Sequence, residues 1–267
     1  MTVTELDRER LRATFGEDAS RYDRCRPGYP SRLFDDLAVL IHAGLGARVL
    51  EIGCGTGQAT LPLARLGCSI IAVELSADMT AIARQHLAEF PAAQVVVSAF
   101  EDWPLPNDRF DIVLSATAFH WLDPDVRMIQ AADALRPEGT LALISTHHVA
   151  GGTDPFFVEV QRCYERFVPD TPPDLRLPTS HEVPVDPAEF DRSRRFGPVQ
   201  FHRYEWDQTY STREYIDLLL TYSGHRAMPA TRRHSLLACI ADLIDNSYGG
   251  QITKRYMTQL AIARRVR

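Results

Sequence analysis

The sequence predicts an α/β fold, a three-layer sandwich with helices on both faces of a parallel sheet. Near-continuous apolar runs of strand length recur at residues 48–52, 69–74, 94–97, 110–115 and 140–145. Helical patterns fill the gaps between them, and the first run empties into a glycine-rich turn, Gly53-Cys54-Gly55-Thr56-Gly57. Runs without polar alternation suit strands covered on both faces. Successive strand–helix units imply right-handed crossovers, which put helices on both sides of the sheet.

In chain order, residues 5–15 carry Leu6, Leu11 and Phe15 at the spacing of one helix face. Pro27 and Pro30 around Gly28-Tyr29 make an extended connection. A helix over 31–43 follows, with Leu33, Leu37, Leu40 and Ile41 on one side. The glycine turn leads into a helix over 58–66, strand two into a helix over 77–90, and strand four into a helix over 124–135 that stops at Arg136-Pro137. The alternation then breaks. A helix is expected over 155–167, then an extended loop or lid where six prolines fall between Pro169 and Pro187. Strand six is expected over 199–206, helices over 212–222 and 229–246, and a last strand over 251–263, where Ile252, Lys254, Tyr256, Thr258 and Leu260 alternate with their neighbours.

The chemistry starts at the turn. Its glycines permit positive φ and close approach of a ligand to the backbone. They run G-x-G-x-G, not the G-x-G-x-x-G of a dinucleotide site, and Glu51 sits two residues before the first. A carboxylate there repels a pyrophosphate and orients an ammonium group. Glu74 ends strand two, where it can accept from both hydroxyls of a ribose. A ligand with a ribose, an ammonium group and no phosphate fits better than NAD.

Val49-Leu50-Glu51-Ile52-Gly53-Cys54-Gly55-Thr56-Gly57 resembles the first motif of class I S-adenosylmethionine-dependent methyltransferases, and Ala72-Val73-Glu74-Leu75-Ser76-Ala77-Asp78-Met79 resembles their ribose-binding motif. Phe15…Tyr22…Arg26-Pro27-Gly28-Tyr29-Pro30 and Phe119-His120-Trp121-Leu122-Asp123 resemble a small-molecule subgroup of the type 11 kind that includes trans-aconitate methyltransferases. The resemblance implies a Rossmann-like, seven-stranded, mostly parallel sheet whose last strand is antiparallel beside the fifth, with a helical cap. It implies one domain over 1–267: an N-terminal cap (1–30), a cofactor-binding core (31–150), cap insertions (151–198 and 207–248) and final strands (199–206 and 250–263). Carried over position by position, S-adenosylmethionine would meet Tyr22, Arg26, Glu51, Gly53, Cys54, Gly55, Gly57, Glu74, Leu75, Met79, Phe100, Glu101 and Ala116. The family often has an aspartate where this chain has Ala99, so a backbone carbonyl or Glu101 would take the adenine amino group.

His120, just beyond strand four, is the candidate base for the acceptor. Trp121, His147, His225 and Arg226 are candidate acceptor contacts, the arginine for a carboxylate or phosphate. The segment Ser115-Ala116-Thr117-Ala118 lacks the Asn/Asp-Pro-Pro-Tyr run of many enzymes that methylate amino groups of bases or of glutamine. With a net charge of −6 over 267 residues, this argues against a nucleic-acid partner and for a small organic acceptor, methylated on a carboxylate or hydroxyl oxygen ahead of carbon. A non-catalytic S-adenosylmethionine-binding protein and an NAD(P)-dependent oxidoreductase are the alternatives. The five cysteines are scattered, which predicts thiols without a disulfide framework and a reducing, cytoplasmic setting. No His/Asp/Glu cluster has metal-ligand spacing, so no metal is expected. No apolar run approaches the roughly 18–20 residues of a membrane span.

Overall fold

The computed structural model describes residues 16, 18–169 and 171–266; the helix expected over 5–15 lies outside them. Two short helices come first, α1 (Ala19–Cys25) and α2 (Ser31–Leu40). Strands β1 (Arg48–Ile52), β2 (Ser69–Glu74), β3 (Ala93–Val97), β4 (Phe110–Ala116) and β5 (Leu135–Gly152) then alternate with α3 (Thr60–Arg65), α4 (Ala77–His86) and α5 (Arg127–Ala134). The rest comprises α6 (Asp154–Glu159), α7 (Gln161–Phe167), α8 (Ala188–Ser193), β6 (Gln200–Ser211), α9 (Thr212–Leu219), α10 (Ser223–Arg226), α11 (Ala230–Ser247) and β7 (Gln251–Arg264).

The seven strands form one sheet in the order β3-β2-β1-β4-β5-β7-β6. Register pairs such as Leu50↔Ile71, Leu50↔Val113 and Leu114↔Ala142 are parallel. The last strand is antiparallel to both neighbours. Arg265 N–H donates to Gly139 O while Thr153 N–H donates to Thr253 O, and Gly197 N–H donates to Arg264 O while Thr212 N–H donates to Gly250 O. Numbering thus rises along one strand as it falls along the other.

By contact density the chain divides into two units. The first holds the described residues up to Arg26, His147–Pro184 and Glu205–Met257; the second holds Pro27–Thr146, Val185–Tyr204 and Thr258–Arg267. Strands β5, β6 and β7 each contribute to both. In the second unit, strand periodicity splits the buried residues between two cores. Val49, Ile70, Ala72 and Ile112 pack with Leu33, Leu37 and Leu63, whereas Leu50, Ile52, Val73 and Val113 pack with Met128 and Ala131. That is the three-layer sandwich. The first unit has its own core, in which Leu236, Leu237, Ile240 and Ile244 of α11 present one face to Phe156, Leu218 and Tyr256.

Several local features differ from the sequence reading. The helix expected over 155–167 is α6 and α7, separated at Val160. Helices α1, α8 and α10 appear where none was expected. Cys163 and Cys239 are joined by a disulfide with Cα atoms 5.9 Å apart, which corrects the expectation of thiols throughout; Cys25, Cys54 and Cys68 are free. Packing of α7 on α11 brings the two cysteines together across 76 residues of sequence. Among the described residues no helix is long and apolar enough to cross a membrane.

Candidate active site

At the carboxyl end of β1 the chain turns through Gly53 (φ 69°), Gly55 (φ 58°) and Gly57 (φ 97°), a backbone path that other residues resist. Gly53 lies against the end of β4: a Cβ there would stand 2.5 Å from the Ala118 Cβ. The Glu74 carboxylate pins the turn from β2. Its Oε2 accepts from Gly55 N–H at 3.0 Å and its Oε1 from Ser76 N–H at 2.9 Å. His86, from the last turn of α4, bonds the Thr56 carbonyl through Nδ1 at 2.9 Å.

Glu51 is 1% exposed, and its Oε2 has no hydrogen-bond partner. Burial raises its pKa to about 7 and the Glu74 charge adds to the shift, while the nearby Thr60 hydroxyl opposes it without completing a hydrogen bond. Two acids are therefore held beside one glycine turn, one of them buried with an open acceptor. A cation would relieve both the desolvation and the mutual repulsion. Burial, followed by the charges of Glu51 and Glu74, also holds the Cys54 thiol well above its ordinary pKa, so it is a packed, protonated side chain.

Met79 is buried in the first turn of α4, its N–H donating to the N-cap Ser76 Oγ at 3.3 Å. Leu75 is 41% exposed. Phe100 is in the core, and its carbonyl accepts from Gln130 Nε2 at 2.7 Å. The Glu101 carboxylate accepts from Asp123 N–H at 3.2 Å, which ties the segment after β3 to the segment after β4.

Ala116 ends β4. Thr117 follows at φ 55°, a left-handed conformation that is rare for a β-branched residue and costs roughly 1–3 kcal/mol. Its N–H donates to Ile144 O at 2.7 Å, and its hydroxyl pairs with the Tyr29 hydroxyl at 3.1 Å. Phe119–Trp121 form a single 3₁₀ turn. There the His120 ring lies 4.9 Å from that of Trp121, tilted by 43°. Crowding of the ring and then the Arg127 guanidinium lower its pKa. Since the side chain is also exposed to water, which moderates that shift, His120 is neutral at pH 7 on either ground.

The remaining predicted residues lie in the first unit. The Arg26 guanidinium donates to Thr221 O at 3.1 Å and faces the rings of Tyr22 at 5.2 Å and Tyr222 at 4.5 Å. His225 bonds the Tyr164 hydroxyl through Nε2 at 3.0 Å, and burial lowers its pKa to about 4. Arg226 ends α10 and accepts from Arg233 through its carbonyl at 3.0 Å. His147 is partly buried on β5.

Residues 50–143 match the family model described as a methyltransferase domain. An uncharacterized methyltransferase of Mycobacterium tuberculosis is 29% identical over 244 residues, spanning 91% of this chain and 89% of the relative. A malonyl-[acyl-carrier protein] O-methyltransferase of Enterobacter lignolyticus is 35% identical over 138 residues, 51% of this chain and 53% of the relative. The solved structure of a putative type II methyltransferase from Anaeromyxobacter dehalogenans superposes with a TM-score of 0.63 at 25% identity, covering 90% of this chain and 97% of that one. The chain carries a methyltransferase domain.

In this methyltransferase the matched segment contains the glycine turn, Glu51, Glu74, Phe100, Glu101 and His120. Sequence reasoning passed over three residues that shape the same unit: Thr117, with its strained backbone, Tyr29, its partner, and His86, which fixes the turn. Tyr29 sits in the Pro-Gly-Tyr-Pro segment, a signal within reach. Nothing in the sequence marks the φ of Thr117.

Proposed function

We propose that this methyltransferase methylates a carboxylate or hydroxyl oxygen of a small organic molecule, and that Glu51 and Glu74 are its principal cofactor contacts. The observation that carries the cofactor assignment is the buried Glu51 Oε2 without a partner. S-adenosylmethionine fits the residues present, with an ammonium group for Glu51, ribose hydroxyls for the Glu74 carboxylate, and no phosphate to meet two carboxylates. When bound, it supplies a methyl group already activated on a sulfonium. The protein's task is then to position the partners and keep water out, which is worth on the order of 7–11 kcal/mol. Gly53, Cys54, Gly55 and Gly57 give the close backbone wall. Leu75, Met79, Phe100 and Glu101 flank the adenosine, and Ala116 closes the end of β4. Tyr22 and Arg26 are assigned to the methionine end on the motif they share with the small-molecule subgroup.

His120, neutral at pH 7, can take an acceptor proton on an imidazole nitrogen; an ionised carboxylate needs no such step. Trp121, His147, His225 and Arg226 are the proposed acceptor contacts. Oxygen is favoured because the segment after β4 lacks the run typical of amino-group methylation, and because one relative is named an O-methyltransferase.

Calorimetric titration tests the cofactor assignment. S-adenosylmethionine and S-adenosylhomocysteine should bind and NAD should not; the reverse pattern sinks it. Glu74→Ala should weaken S-adenosylhomocysteine binding at least tenfold, since it removes both the ribose acceptor and the anchor of Gly55. If His120 is the base, His120→Ala should lower turnover about a hundredfold with cofactor affinity intact; near-wild-type turnover would assign it to packing.

A further inference from the structure

Strand β7 raises a separate question in the first unit. Its period of two sends Ile252, Lys254 and Tyr256 to one face, and all three are buried, Lys254 at 3% exposure. The other two belong to the apolar core of that unit. A lysine has replaced the apolar residue that the pattern calls for, and it is the only lysine in the chain. It forms no ion pair among the described residues. Its ammonium instead faces rings: Tyr256 at 5.4 Å, Tyr215 and Tyr222 at 5.7 Å, and Phe157 at 6.0 Å. The charge that acts on it is a second cation, Arg26, whose guanidinium lies 4.5 Å over the Tyr222 ring and whose Nε is buried without a partner. His148, bonded to the Tyr222 hydroxyl at 3.2 Å, and His225 are the other basic groups there.

A cation–π contact returns less than burying an unpaired ion costs. Buried charges ordinarily have a counter-ion, and here two cations share aromatic walls with no carboxylate paired to Lys254 among the described residues. Burial and then Arg26 push the Lys254 pKa down to about 7. We propose that this cluster is the anion-binding part of the acceptor site, in which Lys254 and the tyrosine hydroxyls hold the carboxylate of a small aromatic acid against the rings of Tyr222 and Tyr256. An aromatic acid is favoured over an aliphatic one because the surroundings are flat rings, with Trp206 stacked on Tyr256 at 4.7 Å and 20°. Only the word acceptor rests on the methyltransferase reading; the anion site stands on the cluster.

The single lysine makes the test direct. With 13C-labelled lysine, the protein gives one lysine side-chain signal. Benzoate should shift it saturably, whereas its neutral isostere benzamide should not. Lys254→Met, which removes a buried charge and is expected to fold, should weaken benzoate binding more than tenfold by calorimetry, and Lys254→Arg should retain most of it. Benzoate binding should also weaken as pH rises through about 7, because Lys254 loses its proton. Over that range His148 and His225, whose pKa values burial lowers, are neutral throughout. Equal shifts with benzoate and benzamide, no shift with benzoate, or wild-type affinity in Lys254→Met would each overturn the site. S-adenosylhomocysteine is titrated in parallel. If it binds while benzoate fails, only the anion site falls; if benzoate binds while it fails, the methyltransferase reading falls and the anion site remains.

Discussion

Glu51→Gln should weaken S-adenosylmethionine binding about tenfold to a hundredfold, the range of a charge-assisted hydrogen bond, and should also make the ligand-free protein more stable. Both effects come from one buried carboxylate. Its pKa is raised from 4.5 to about 7 in the folded protein, so between those values the folded state holds a proton that the unfolded state has released. Stability therefore falls as pH rises across that window, by about 3 kcal/mol in all, and stays lower above it. Glutamine escapes this cost. The variant should match the wild type near pH 4 and melt several degrees higher at pH 8. Thermal unfolding over that pH range, beside calorimetric titration of the cofactor, gives both readings. A gain that does not vary with pH, or unchanged affinity, would remove Glu51 from its proposed role.

Gly53→Ala should be strongly destabilising, and Ala118→Gly should repair only part of the damage. The added Cβ would sit 2.5 Å from that of Ala118, an overlap costing about 1–3 kcal/mol. The φ of 69° adds a further cost of roughly 1 kcal/mol. Deleting the Ala118 methyl removes the overlap and leaves the backbone term. Denaturant unfolding of the two single variants and the double variant should show a favourable coupling of more than 1 kcal/mol; simple additivity would mean that the two loops do not meet as described. Turnover should fall in the single variant as well, because any movement of Ala118 carries Thr117 and His120 with it.

The parts that were legible in the sequence share a physical reason. Strands β1, β2 and β4 are largely buried on both faces, so their apolar runs are self-announcing, and the glycine turn and its two acids are a local pattern. What escaped depends on partners distant in sequence. The sequence suggests strand five over 140–145, whereas β5 continues through His147 and His148 to Gly152 because β7 supplies its hydrogen bonds. Helix α1 carries a readable signal, the N-cap Asp18 accepting from Arg21 N–H at 3.0 Å, which the prolines downstream obscure. The Cys163–Cys239 pairing has no sequence signature at all. For the site, residue types were legible and their condition was not: the unpartnered oxygen of Glu51, the strained Thr117, and a lysine whose alternation with Ile252 and Tyr256 is plain while its burial is not.

Strand β7 has one more consequence, in the order of synthesis. It is the last strand in the chain, yet it lies between β5 and β6. Its residues up to Met257 complete one unit and those from Thr258 complete the other. While the polypeptide emerges from the ribosome, neither unit can finish its sheet, and the facing edges of β5 and β6 wait unpaired. Such edges are templates for mispairing. The nascent chain is thus most vulnerable until β7 has emerged, and a truncation that removes β7 takes out an interior strand, not an expendable edge.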